Sequence, residues 1–196
     1  MRAVRRVTGR ALPLDRANVD TDQIIPAHWL KRVERTGYGA GLFEAWRRDP
    51  AFVMNDPRYA GASILVAGAN FGSGSSREHA VWALDEAGFR AVIAPRLADI
   101  FRTNCLKSGI VPAEIDGDAV ARLLGLALRD PRAEIIVDVE RRMVEAPGVH
   151  ASFALDDHAQ ARLLEGLDDI AVTLTYADEI TTYESTRATW LPSLRD

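Results

Sequence analysis

The chain has 196 residues, 47% of them hydrophobic and 27% charged, and a formal net charge of −4. That length suits one domain with a substantial core, and the acidic balance argues against general affinity for nucleic acid. No apolar run reaches membrane-spanning length, and the basic start Met1-Arg2-Ala3-Val4-Arg5-Arg6 leads into no signal-like apolar stretch, so a cytoplasmic protein with no membrane partner is expected.

In chain order, Val4 to Ala11 alternates weakly and is predicted as a strand. Residues 18–26 form a polar, turn-rich segment ending at Pro26, and Pro26 to Lys31 begins a short helix with proline at its start. From Val33 to Tyr59 charge, glycine and proline dominate; a helix is expected around Leu42 to Arg47, and the loop 32–41 is expected to be mobile for want of apolar area. Ser63 to Ala67 is predicted as a buried strand, Arg77 to Ala87 as an amphipathic helix ended by Gly88, and Ala91 to Ala94 as a second buried strand. Helices follow over Leu97 to Lys107, ending near Gly109, and over Val120 to Leu128. This alternation implies parallel strands with right-handed crossovers. Ile135 to Val139, Met143 to Glu145, a Pro147-Gly148 turn and His150 to Leu155 then suggest an antiparallel meander. Asp157 to Glu165 is a helix capped by Asp156, and Asp168 to Thr186 is a last amphipathic segment interrupted by Val172 to Thr175. The chain is read as a single α/β domain over 1–196 with a helical tail from about 157.

Cys105 is the only cysteine, which excludes an intrachain disulfide and a cysteine-ligated iron–sulfur cluster within this chain. His28, His79, His150 and His158 show no metal-ligand spacing. No metal ligand is assigned here, and any metal the chemistry needs must come from a partner.

The segment Gly68-Ala69-Asn70-Phe71-Gly72-Ser73-Gly74-Ser75-Ser76-Arg77-Glu78-His79-Ala80 carries the chemistry. It joins a buried strand to a helix, so unpaired backbone N–H groups face an anion at the positive end of the helix dipole. It is not a dinucleotide fingerprint, because Arg77 stands where the third glycine belongs; it has no lysine for a P-loop, and no serine here has the nucleophile-elbow spacing. The bland alternative is a turn with a serine cap, since Ser75 and Glu78 have capping-box spacing.

The string Gly72-Ser73-Gly74-Ser75-Ser76-Arg77-Glu78-His79-Ala80 resembles the active-site loop of the aconitase-superfamily swivelling domain. Asn18-Val19-Asp20-Thr21-Asp22-Gln23-Ile24-Ile25-Pro26, the stretch Leu97 to Pro112 and the tail around Thr182-Tyr183-Glu184 agree with it in order and spacing. Over Val4 to Leu191 the chain is similar to the small subunits of bacterial 3-isopropylmalate dehydratases, with one departure: many of these have cysteine where Ser73 stands. The resemblance implies a three-layer β/β/α swivelling domain with a mixed, partly parallel sheet. It also implies a large-subunit partner that holds a [4Fe–4S] cluster, and a hydroxy-dicarboxylate substrate isomerised by dehydration and rehydration in leucine biosynthesis.

The same resemblance makes Ser75 the candidate base, its alkoxide stabilised by N–H groups of the Gly72–Gly74 turn and of the helix start. Arg77 then binds a substrate carboxylate bidentately, as lysine cannot, with Ser76 adding a hydrogen bond and Arg32 reading the substrate. Asp22 is placed to orient an acid–base group of the partner. Asn70 supports the loop backbone, and Glu78 and His79, turned away from Arg77 on the helix, are supporting or packing residues. Alternatives stay open: Ser75 as a helix cap, Arg77 as a surface ion pair, Asp22 as a turn aspartate, Arg102 and Lys107 facing the cleft or solvent. Other hydro-lyases acting on methylmalate-type or homoaconitate substrates, and a stand-alone anion-binding module, are the rival functions.

Overall fold

Ile64-Leu65-Val66-Ala67 is apolar throughout and buried throughout, as a strand covered on both faces must be. In the computed structural model, which describes residues 1–34, 36–188 and 190–191, this is β3 of a parallel sheet. β1 spans Arg6–Gly9, β2 Ala11–Leu14, β3 Ile64–Ala67, β4 Ala91–Ala94, β5 Val111–Glu114, β6 Ile135–Asp138, β7 Met143–Ala146 and β8 Val149–Ser152. Strands β2-β3-β4-β5 form the parallel sheet in that order, and β1-β6-β7-β8 form an antiparallel one. The parallel and antiparallel pairings anticipated from sequence thus occupy separate layers. Val4 to Ala11 is not one strand: the chain leaves the antiparallel sheet after Gly9 and enters the parallel sheet at Ala11. The Arg10 carbonyl at this crossing accepts the Ser63 and Ile64 N–H groups.

β5 was not anticipated, because Pro112 breaks a strand pattern. The structure puts that proline on the edge strand of the sheet, where its missing N–H leaves no ladder bond unmade.

The helices are α1 Thr21–Ile24, α2 Glu44–Arg47, α3 Glu78–Glu86, α4 Asp99–Ser108, α5 Gly117–Arg129, α6 Asp157–Glu165, α7 Asp169–Leu174 and α8 Ala177–Thr186. Period-two alternation divides the core. Leu65, Ala67, Val92 and Ala94 face a cluster with Ala80, Leu84, Phe101 and Cys105 from α3 and α4. Ile64, Val66, Ala91 and Ile93 face a second cluster with Val137, Val144 and Val149 of the antiparallel sheet and Leu123 of α5. The result is helices, parallel sheet, antiparallel sheet: the three layers expected.

α6 belongs to this core, with Ala159 and Leu163 buried and its N-terminus capped by Asp156 as read from sequence. α7 and α8 bury nothing. The loop 32–41 is less free than its composition suggested. Tyr38 is buried, and the Gly37 and Gly39 N–H groups donate to the Glu86 carboxylate at 3.1 and 2.9 Å; Arg35 lies outside the described residues. Among the described residues no helix is long and apolar enough to cross a membrane.

Candidate active site

The site sits at the carboxyl ends of β2 and β3, the usual place for ligands in an open parallel sheet. Two segments leaving those ends are laced together. The Gly72 and Ser73 N–H groups donate to the Val19 carbonyl at 2.8 and 3.2 Å, and Thr21 N–H donates to the Ser73 carbonyl at 2.9 Å. Asp20 and Ser73 pair as a parallel bridge, and Phe71 bridges to Leu97. The 18–26 segment is not simply a turn: Asp20 accepts from Gln23 N–H at 2.8 Å while Gln23 Oε1 accepts from Asp20 N–H at 2.9 Å, a reciprocal cap that starts α1.

Gly72 is required where it stands. Its φ is +80°, and a β-carbon there would fall 2.2 Å from Cγ of Phe101. The Phe101 ring fills that position and meets Phe71 edge-on at 5.3 Å between centroids. Gly74 shares the left-handed conformation at φ +89°, and Asn70 adopts it at φ +60°. The Asn70 side-chain amide donates to Asn18 Oδ1 at 2.9 Å, which ties the loop to the neighbouring segment.

The donors available to an anion differ from the expectation. Gly72 and Ser73 N–H groups are consumed by Val19, so the first half of the turn offers nothing. From Gly74 onward, the backbone N–H groups of Gly74, Ser75, Ser76, Glu78 and His79 make no hydrogen bond among the described residues. The oxyanion donors therefore lie later in the loop, on its exposed rim and the first turn of α3. That turn carries no side-chain cap, since its N-cap position is Arg77 in extended conformation. Ser75 is therefore not a helix cap, and the Ser75–Glu78 capping box does not form.

Ser75 and Ser76 are exposed at the tip. Ser75 Oγ lies 3.1 Å from Thr21 Oγ1. Arg77 is largely buried along its stem, with 17% of its side chain exposed, and its Nη1 donates to Asp22 Oδ1 and, at 3.5 Å, to the Ile25 carbonyl. Nε and Nη2 make no hydrogen bond among the described residues, which leaves one edge of the guanidinium for a carboxylate. Asp22, read as a group that orients something on a partner, here has a partner in its own chain and holds Arg77 in place.

His79 packs against Tyr38 and Trp82, its ring tilted to both with centroids 5.2 and 4.7 Å away. Burial holds its imidazole below the ordinary histidine range; the Arg77 charge adds to this and Glu78 opposes it. It packs α3 against the loop 32–41 through Tyr38. Glu78 is exposed in the first turn of α3, where a carboxylate complements the dipole. Arg32 lies over the Trp29 and Tyr38 rings, its guanidinium carbon 5.1 and 6.0 Å from their centroids. It makes no hydrogen bond or ion pair with Ser75, Ser76 or Arg77 among the described residues. Arg102 turns toward Glu114, 4.0 Å away, and Lys107 pairs with Asp169 at 3.2 Å, so neither faces the loop tip. Sequence reasoning missed Thr21, Val19, Glu86 and Phe101. The Asp20–Gln23 capping spacing is the signal from which the first two could have been found.

Among the described residues no group of three or more His, Cys, Asp or Glu is placed to hold a metal. Cys105 is fully buried in the core and its thiol is pushed far up by desolvation, so it is no thiolate ligand as it stands.

A model of the aconitase C-terminal domain matches residues 1–118. The 3-isopropylmalate dehydratase small subunit of Parafrankia sp. (strain EAN1pec) is 58% identical over 186 residues, 95% of each chain. That of Streptomyces coelicolor is 57% identical over 192 residues, 98% of each chain. The crystal structure of 3-isopropylmalate dehydratase from Methanocaldococcus jannaschii, at 23% identity, superposes with a TM-score of 0.64 over 91% of this chain and 99% of that one, which supports the fold. The family match and the similarity to these relatives along nearly the whole chain agree: the chain belongs to the aconitase C-terminal domain family, among the small subunits of 3-isopropylmalate dehydratase.

Proposed function

We propose that this chain, together with a large subunit, interconverts 2-isopropylmalate and 3-isopropylmalate by dehydration and rehydration, a step of leucine biosynthesis. The observation that carries this reading is the pairing of a serine hydroxyl, free of any capping duty, with an arginine held side-on by its own aspartate, both at an uncapped helix start. Dehydration needs a base for a carbon-bound proton beside a carboxylate, and a cation for the carboxylate into which charge develops. Ser75 is the base: it takes the proton from carbon and returns one to the neighbouring carbon on rehydration. The N–H groups at Gly74 to Ser76 and the start of α3 stabilise its alkoxide. Arg77, oriented by Asp22, binds the carboxylate through its free edge, with Ser76 beside it. Activation of the leaving hydroxyl falls to the large subunit, where the family resemblance puts a [4Fe–4S] cluster; this chain's own groups do not fit as its ligands. The loop 32–41, tied to α3 through Tyr38 and Glu86, is read as the segment that senses the substituent distinguishing isopropylmalate from methylmalate-type or homoaconitate substrates, with Arg32, which makes no bond to the loop tip in this structure, as its candidate cation.

The test is reconstitution with a cluster-bearing large subunit and assay in both directions on a panel of these substrates. Turnover is expected on isopropylmalate and to fall roughly 10⁴-fold or more in Ser75→Ala, as when a proton-transferring nucleophile is removed, with folding and assembly intact. Full turnover of Ser75→Ala, or preference for another substrate in the panel, overturns the proposal.

A further inference from the structure

The Ser75 hydroxyl has one side-chain partner among the described residues, and that partner is built unlike its surroundings. Thr21 is 2% exposed and, with Asp138, is one of two polar residues buried to this degree among the described residues. It opens α1 behind the Asp20 cap, with its side chain buried. Its Oγ1 lies 3.1 Å from Ser75 Oγ and also 3.1 Å from the Ser75 carbonyl oxygen.

A hydroxyl has one proton to donate and two lone pairs. While Ser75 is protonated, Thr21 donates to the Ser75 carbonyl and accepts the Ser75 proton. Once Ser75 is an alkoxide, it can only accept, and Thr21 turns its proton from the carbonyl to Oγ. That carbonyl is not stranded, because it still accepts the Arg77 N–H at 2.8 Å. The same two atoms thus serve both protonation states with no movement of heavy atoms, the arrangement that preorganisation requires.

We propose that Thr21 is a positioning residue for the proton-transferring hydroxyl of Ser75: it aims Oγ and supplies a buried donor to its deprotonated form. This rests on the reading of Ser75 given above. The test uses the reconstituted two-subunit enzyme carrying Ser75→Ala, Thr21→Val or Thr21→Ser, with kcat and KM measured on isopropylmalate and assembly checked by gel filtration. Thr21→Val, which keeps the shape and removes the proton, is expected to lower kcat by roughly 10²-fold, the loss that follows removal of one preorganised donor, with KM within about twofold. Thr21→Ser is expected to restore kcat to within about threefold of the parent, since it keeps the donor. Should Thr21→Val not assemble, Thr21→Ala takes its place in the comparison. Retention of kcat by the hydroxyl-free variant, or an equal loss in Thr21→Ser, overturns the role of Thr21 even if Ser75→Ala is inactive. An active Ser75→Ala instead overturns the reading of Ser75 itself.

Discussion

Replacing Gly72 by alanine separates two costs that the structure puts at one atom. The first is backbone: φ at +80° is a left-handed conformation that costs a residue with a β-carbon about 1 kcal/mol. The second is steric. The added carbon would lie 2.2 Å from Phe101 Cγ, 2.5 Å from its Cβ and 2.7 Å from Cδ1, at the root of the ring rather than at a flexible tip. Phe101 cannot swing away freely, because it is buried and packed edge-on against Phe71. Forcing a methyl into such a site costs about 1–3 kcal/mol, so the expected total is about 2–4 kcal/mol. Gly88→Ala is the internal control: its φ is +99°, but nothing lies within 4 Å of the added carbon, so only the backbone cost of about 1 kcal/mol applies. Urea unfolding of both variants, read as a shift in midpoint at unchanged slope, gives the difference. Gly72→Ala should be worse than Gly88→Ala by at least about 1 kcal/mol. It should also lower turnover of the assembled enzyme, because the Gly72 and Ser73 N–H bonds to Val19 set where Ser75 stands. Equal midpoints for the two variants would refute the claim that the Phe101 contact fixes this glycine.

Two further outcomes follow from buried groups. Desolvation depresses the folded-state pKa of His79 below its ordinary 6.5, so the folded state resists protonation more than the unfolded chain does; its contribution to stability is complete above the ordinary histidine range and is lost as pH falls through that range toward the folded-state pKa. His79→Phe, which keeps a ring against Tyr38 and Trp82, should therefore lessen the loss of stability as pH falls below the ordinary histidine range; parallel pH curves for variant and parent would count against it. Cys105 is fully buried with its thiol pushed far up, so a thiol reagent should fail to label native protein and label it fully in denaturing urea; rapid native labelling would mean that α4 opens readily.

The two middle strands of the parallel sheet were legible because they are short, wholly apolar runs separated by a helix-period segment. Ile64–Ala67 and Ala91–Ala94 stand within a residue of their predicted bounds. The layer change at Arg10 was not legible, because no local property of Val4 to Ala11 distinguishes one strand from two in different sheets; the decision belongs to the long-range partners Asp138 and Ile64. β5 was hidden by Pro112, whose tolerance depends on being at a sheet edge, a fact of topology rather than of sequence. The loop 32–41 misled for a related reason. Its polar composition is genuine, yet one tyrosine and one carboxylate on another helix, Tyr38 and Glu86, anchor its second half.

The site was legible in its residue types and illegible in its hydrogen bonding. Ser75 and Arg77 stand out because a loop that only bends has no use for them, but which N–H groups remain free depends on what the neighbouring segment takes. Val19 takes two, at Gly72 and Ser73, and thereby moves the anion-binding capacity to the next residues, beside Ser75 and Arg77 rather than before them. Asp22 shows the same dependence: two residues after a capping aspartate it reads as a turn former or an outward-facing acid, and only the approach of α1 to the start of α3 gives it Arg77. Both reassignments come from one cause, the capped turn of α1 docking against the glycine-rich loop. A capping mutation as remote from the chemistry as Asp20→Ala, worth about 1 kcal/mol in helix stability, should thus weaken turnover through Thr21 and Asp22 together, because the cap fixes the register of both side chains that touch Ser75 and Arg77.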